Sequence, residues 1–357
     1  MTQLLSHAAS TGAAARPTPL AGSPFSLDDD VAYQRWRAAK LAARPTGLDE
    51  LVVDIGQPRA LKAHERAALL DRLSRCNLVV YRGPTQADSA AVVVALASQL
   101  GLAQLDGNWL ADEDGVSHIT PVPDHDSAQA EGVADRGGAG GAPSVGASGG
   151  HGGFIPYTRR AIRWHTDGYY HPSARRIRSM LLHCVRPAAD GGDTALLDPE
   201  LAYIALRDED PGMVLALMAD DAMTIPARLA GDGEALPLPA ESAGVERPAQ
   251  SGPVFSVDAR DGRLHMRYTA RSRSIVWRAD QATQRAVARL QSLLDDPAAS
   301  AVGRPWRLKM AAGMGVVTHN VLHDRSAFDD SPEQPRLLYR ARYLDLSHAP
   351  ELPWRIG

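Results

Sequence analysis

The chain has 357 residues, 44% of them hydrophobic, enough for one large domain or two small ones around a substantial core. A formal net charge of −4, with no concentrated Lys/Arg run beyond the short Arg175-Arg176-Ile177-Arg178, gives no reason to expect a nucleic-acid partner. No apolar run is long enough to cross a bilayer. Only two cysteines, Cys76 and Cys184, are present, which excludes a disulfide scaffold and suits a reducing, cytoplasmic setting.

In chain order, residues 1–25 lack the basic start and continuous apolar centre of a secretory signal. They are expected to form a flexible tail ahead of a single domain over 26–357. Residues 26–60 are mixed, with Trp36 and an extended run at 51–55 before Gly56. From 61 to 76 the apolar positions Leu61, Ala67, Leu69, Leu70 and Leu73 keep helical spacing. A buried strand follows at 78–82, closed by Gly83-Pro84. A second helix, about 87–100, stops at Gly101. Residues 124–153 are dominated by Gly, Ala and Ser, and apolar periodicity vanishes. Such a stretch cannot bury enough surface to offset its ordering entropy. It reads as a disordered insertion, with a lid role left open for its ends.

Residues 179–185 read as a core strand, and Gly191-Gly192-Asp193-Thr194 as a tight turn into Ala195-Leu196-Leu197. A helical stretch at 199–219 leads to an irregular insertion at 226–252, rich in Pro, Gly, Ala and Glu. Short strand candidates recur at 253–257, 263–268, 305–311 and 313–318, with one helix at about 279–295. Many short strands with few helices argue for a mainly β fold with flanking helices, a double-stranded β-helix (jelly-roll) barrel. No strand is followed by G-x-G-x-x-G, so a dinucleotide fold is not expected.

The chemistry centres on Trp164-His165-Thr166-Asp167-Gly168. On a strand, residues two apart share a face, so His165 and Asp167 would project together. They would supply two of the three protein ligands of a 2-His-1-carboxylate triad, the arrangement that holds non-haem Fe(II) and leaves coordination positions open. The third is expected from a facing strand much later in the chain. His323 is the choice, and His319 the competitor, four residues away and so placed to share its face. Further on, Arg336, Leu338 and Arg340 would share a strand face. Guanidinium groups aimed inward need anionic partners, and Arg grips carboxylates through two parallel hydrogen bonds. The alternative is an Arg ladder on a solvated edge.

This ordered set resembles the Fe(II)- and 2-oxoglutarate-dependent dioxygenases of the taurine dioxygenase (TauD/TfdA) type. The resemblance covers about 51–344, and is carried by Trp164-His165-Thr166-Asp167, the Gly191-Gly192-Asp193-Thr194 turn, Asn320-Val321-Leu322-His323-Asp324-Arg325 and Arg336-Leu337-Leu338-Tyr339-Arg340. It implies that His165, Asp167 and His323 hold the iron. It also implies that Arg336 pairs with the distal carboxylate of 2-oxoglutarate and that Thr194 assists through its hydroxyl. Arg340 matches a second arginine that, in sulfonate-using members, meets the substrate anion. The implied reaction hydroxylates a small anionic or zwitterionic molecule with O2, giving succinate and CO2, and a homo-oligomer is expected.

Departures from the family pattern bear on the substrate. Val317-Thr318 stand where Asp-Asn is frequent, and Ala161 where taurine-using members carry Asn. The segment 110–115 is acidic where those members place a substrate-contacting His, so taurine itself is not expected. Tyr169, Tyr170 and His171 would line the pocket or pack; Arg163 and the basic run 267–273 face either the pocket or solvent. Two other readings use the same donors: a zinc hydrolase or lyase, which needs neither Thr194 nor Arg336, and a non-catalytic cupin-like binding protein. Hydroxylation of a peptide or nucleic acid fits the acidic balance poorly.

Overall fold

The computed structural model describes residues 22–85, 90–107, 115–121, 155–229, 245–271, 275–296, 303–331 and 333–347. The expected tail up to residue 21, the whole of the Gly-rich segment 124–153, and 230–244 within the second insertion lie outside them.

Side-chain alternation sorts the central strands into two faces. Along Leu78–Arg82, Val79 and Tyr81 join one apolar cluster while Leu78 and Val80 join another. The same split recurs in Ser179–Arg186, where Leu181 faces the first cluster and Leu182 and Cys184 the second. These strands belong to a six-stranded sheet, ordered Val52–Asp54, Leu78–Arg82, Met314–Thr318, Ser179–Arg186, Leu337–Tyr343, Ser117–Ile119. The first pair is parallel and the rest are antiparallel. A second, antiparallel sheet runs Trp306–Leu308, Thr194–Leu197, Leu322–Arg325, Ile162–His165. Leu196 and Leu308 of this sheet share a buried cluster with Val80, Leu182, Val316 and Leu338 of the larger one, so the two sheets pack face to face.

Helices cover both outer faces. Ala63–Cys76 and Ala91–Gln99 pack on the larger sheet through Leu69, Leu73, Val93 and Leu96. Truncating a fully buried leucine such as Leu73 to alanine costs about 2–5 kcal/mol. On the smaller sheet, Ala195, Leu197 and Leu322 meet the helices Pro199–Glu209, Pro211–Leu217 and Gln281–Asp295. The architecture is therefore mainly β with flanking helices; among the described residues the strands do not close into a barrel. No helix among them is long and apolar enough to cross a membrane.

Several expectations need correcting. The segment 26–60 contains a helix, Asp30–Ala42, started by the Asp29 side chain accepting from the Ala32 N–H. The stretch 199–219 is two helices, because Pro211 has no N–H to give and drives Asp210 into an extended conformation (φ −161°, ψ 109°). The ends of the 226–252 insertion are paired rather than irregular: Arg228–Leu229 with Val245–Arg247, and Gln250–Gly252 with Met223–Ile225.

Candidate active site

His165 and His323 face each other across adjacent, hydrogen-bonded strands. Ile162–His165 and Leu322–Arg325 pair antiparallel with the two histidines in direct register. Their ring centroids are 4.1 Å apart. The third donor thus comes from the neighbouring strand, not from a facing one as expected. Trp164 and Leu322 point outward into the helix-side core, so alternation turns both imidazoles toward the space between the sheets.

Asp167 is not on the strand. Ile162–His165 ends at the histidine, and Thr166 is held instead by its N–H donating to the Tyr268 carbonyl and its hydroxyl accepting from the Tyr268 N–H. Gly168 follows at φ +67°, where a Cβ would stand 2.5 Å from Ile177. The chain turns there, the His171 N–H donating to the Gly168 carbonyl. One donor atom from each of His165, Asp167 and His323 lies within 4.8 Å of the other two.

The hydrogen bonds around these three leave the right atoms free. Nδ1 of His165 lies 2.9 Å from the Arg163 carbonyl, and Nδ1 of His323 lies 2.9 Å from the Val321 carbonyl. A carbonyl can only accept, so each Nδ1 carries the proton and each Nε2 presents its lone pair. Asp167 accepts at Oδ1 from Arg340 (3.2 Å), while its Oδ2 is buried with no hydrogen-bond partner. An orphaned buried carboxylate oxygen beside two Nε2 lone pairs is the donor set of a divalent cation. Burial pushes the Asp167 carboxyl up, but Arg340, Arg342 and the two imidazoles outweigh it and hold it well below the usual carboxylate range. Burial, then His323, pushes His165 down to about 3. The donors are therefore one anion and a neutral His165, as metal binding requires.

A cavity opens beside the two histidines. The smaller sheet lines it with Thr194 and Arg325, and the larger sheet with Leu338 and Arg340, together with Arg336. Three arginines, 336, 340 and 342, are buried on or just before the strand Leu337–Tyr343. Arg342 donates to Asp106 (2.7 Å) and the Tyr170 hydroxyl (3.0 Å), and Arg340 to Asp167, each leaving its buried Nε without a partner. Among the described residues no carboxylate hydrogen-bonds the Arg336 guanidinium; the Phe328 ring lies 5.0 Å away, and the Asp330 carboxylate, bonded to the Arg336 backbone N–H, acts on it only through space. Burial pushes its guanidinium down to about 10, so it stays charged at neutral pH. The edge-ladder alternative does not hold: only 3% of Arg336 is exposed.

Other candidates fall elsewhere. His319 sits in the turn between its two strands, with Nδ1 3.2 Å from Asn77 Oδ1 and Nε2 2.9 Å from the Ser347 hydroxyl, away from the cavity. Tyr169 and Tyr170 pack on the helix-side core. Arg163 is exposed. Arg267 donates to the carbonyls of Tyr169, Met223 and Gln250. Residues 108–114, most of the acidic segment, lie outside the described set.

A β fold of two packed sheets, with two imidazoles and one carboxylate converging at one end, defines a protein of the non-haem metal-site class. Residues 39–342 match the family described as taurine catabolism dioxygenase TauD, TfdA family, and the chain belongs to that family. It is similar to a uridine-5'-phosphate dioxygenase of Streptomyces sp, 32% identical over 203 residues, which is 55% of this chain and 65% of that protein. A uridine-5'-phosphate dioxygenase of Amycolatopsis sp is 31% identical over 198 residues, 52% of this chain and 62% of that protein. The chain thus spans less than two thirds of the length of either relative. Among solved structures, the non-heme iron oxygenase OrfP in complex with Fe and alpha-ketoglutaric acid superposes with a TM-score of 0.50 at 17% identity, covering 86% of this chain and 90% of that one. That likeness is one of fold.

Proposed function

We propose that the protein is an Fe(II)- and 2-oxoglutarate-dependent dioxygenase acting on a small anionic organic substrate. The observation that carries this reading is the pairing, in one cavity, of an orphaned triad oxygen with an unpartnered buried guanidinium. His165 and His323 bind the iron through Nε2 and Asp167 through Oδ2. Iron loaded with 2-oxoglutarate supplies, with O2, the oxidant for hydroxylating a C–H bond, and succinate and CO2 are the coproducts. Arg336 grips the distal carboxylate of the 2-oxo acid, and the Thr194 hydroxyl adds a hydrogen bond at the same end. Apolar Ile162, Met180, Leu182 and Leu338 around the cavity exclude water from the bound cosubstrate. Arg340, beside Asp167, meets the substrate anion. The two packed sheets are read as a jelly-roll domain over 26–357.

For the substrate, the named relatives support a phosphate-bearing nucleoside, and uridine-5'-phosphate is the first compound to assay. A zinc hydrolase on the same donors has no use for Arg336. The test is anaerobic addition of Fe(II) and 2-oxoglutarate to the apo-protein. A weak visible charge-transfer band should appear in the wild type and be absent in Asp167→Ala. On admitting air, succinate should form faster with uridine-5'-phosphate than with uridine. No band, and no succinate with any acid tried, defeats the reading.

A further inference from the structure

We propose that Asn320 is a positioning residue for the metal centre: its side-chain amide fixes the Asp167 backbone where the carboxylate meets both imidazoles. The proposal rests on reading His165, Asp167 and His323 as that centre.

His165 and His323 are locked together by sheet register. Asp167 is not, because it lies beyond the strand end and is followed by a glycine that adds no stiffness. Both backbone groups of Asp167 are taken by one primary amide. Asn320 Oδ1 accepts from the Asp167 N–H at 2.8 Å, and Asn320 Nδ2 donates to the Asp167 carbonyl at 3.0 Å. The same Nδ2 donates to the Ile177 carbonyl at 2.8 Å, tying in the far side of the loop. The amide thus spends its acceptor and both donors within a buried site. Aspartate has no donor for the two carbonyls, and glutamine is one methylene too long.

The location of Asn320 explains what the clamp achieves. It occupies the turn between Met314–Thr318 and Leu322–Arg325, three residues ahead of His323. Its φ of +51° is in the left-handed region that asparagine tolerates better than most residues. The crossover that leads from the larger sheet into the His323 strand therefore also holds Asp167, while strand pairing holds His165. All three donors are referred to one rigid frame, which a metal centre built on one strand end and one loop otherwise lacks.

The test is Co(II) titration of the apo-protein, followed by the visible absorption of the bound ion, in wild type, Asn320→Gly and Asn320→Ala. Glycine accepts the left-handed backbone but removes the amide, so the pair separates positioning from backbone strain. Both variants should bind Co(II) about tenfold or more weakly, in the range found for second-layer partners, and with a changed absorption band. The thermal midpoint should fall further for alanine than for glycine. Asn320→Gly binding Co(II) within about twofold of wild type, with the same band, overturns the proposal, since second-layer losses are larger than that. A wild type that binds no Co(II) defeats the underlying metal reading instead. If the variants do not fold, or the wild type takes no metal, hydrogen exchange at the Asp167 amide of the apo wild type decides. Protection matching the adjacent strand supports the clamp, and exchange as fast as a free loop amide refutes it.

Discussion

Two cavities among the described residues are lined by histidine, aspartate and arginine, and in only one of these two do two imidazoles and a carboxylate converge. In the second, His319 is bonded at both ring nitrogens, to Asn77 and Ser347, and Asp258 is occupied by Arg260 and Arg178. In the first, each imidazole spends only Nδ1, and Asp167 keeps one oxygen unpaired. Residue types are alike; what distinguishes a site from a polar patch of core is that free donor atoms converge on one point. The arginines repeat the lesson. Arg325 and Arg336 line the same cavity and lie on the same Phe328 ring at 4.8 and 5.0 Å. Arg325 is held by the carbonyls of Pro156, Thr158 and Arg160, whereas Arg336 is not so held.

The sharpest way to break this comparison is to exchange the fates of the two histidines. His323→Ala should abolish iron binding and turnover. His319→Ala should leave both near wild type and lower stability by about 1–3 kcal/mol, the cost of stranding buried hydrogen-bond partners. Equal loss of iron binding in both variants, measured by calorimetry, would contradict the account. Next come the arginines. Arg336→Gln should raise the KM for 2-oxoglutarate about 30-fold or more, as expected when a buried charged contact worth about 2–5 kcal/mol is removed. Arg325→Gln should act mainly on the melting temperature, because it strands three carbonyls.

A smaller effect is expected at Phe328. Phe328→Leu keeps apolar bulk but removes the ring that two guanidiniums share, a contact worth about 0.5–2 kcal/mol. It should weaken 2-oxoglutarate binding by about 2-fold to about 30-fold while metal affinity is unchanged. The most diffuse response is the one to acid. Burial pushes His183 down to about 4 and His265 to about 3, and it also holds His319 well below its ordinary value. A histidine kept neutral in the folded state takes up its proton more readily when unfolded. Stability from this source is therefore intact above about pH 6.5 and is lost as the pH falls toward each folded value, by at most about 1.4 kcal/mol per pH unit for each ring. Melting of the apo-protein should show a midpoint that declines from pH 7 to pH 5; a flat profile would contradict the burial of these rings.

Much of the site was readable from residue order alone, because His165, Asp167, His323 and Arg336 are chemically distinctive and each keeps its place in the chain. The shape of the site was not readable. Nothing in Trp164-His165-Thr166-Asp167 tells that the strand stops at the histidine, since the stop is imposed by Tyr268 capturing Thr166 from about a hundred residues away. Nor does sequence separation reveal that the His323 strand is a neighbour rather than a facing partner. Asn320 was in view as part of the ligand segment, and its signal was an asparagine between two strand patterns, where a positive φ is common; its bonds to Asp167 required coordinates. The helix Asp30–Ala42 was missed because its apolar positions are few and its stability comes from aromatic contacts such as Trp36 with Phe25, at 5.0 Å.

The most direct test of the central claim is a crystal grown anaerobically with Fe(II) and 2-oxoglutarate, with the metal located by anomalous scattering at the iron edge. One iron should lie bonded to His165 Nε2, Asp167 Oδ2 and His323 Nε2, with the distal carboxylate of the 2-oxo acid on Arg336. Iron bound elsewhere, or a 2-oxo acid that leaves the Arg336 guanidinium unpaired, would contradict it.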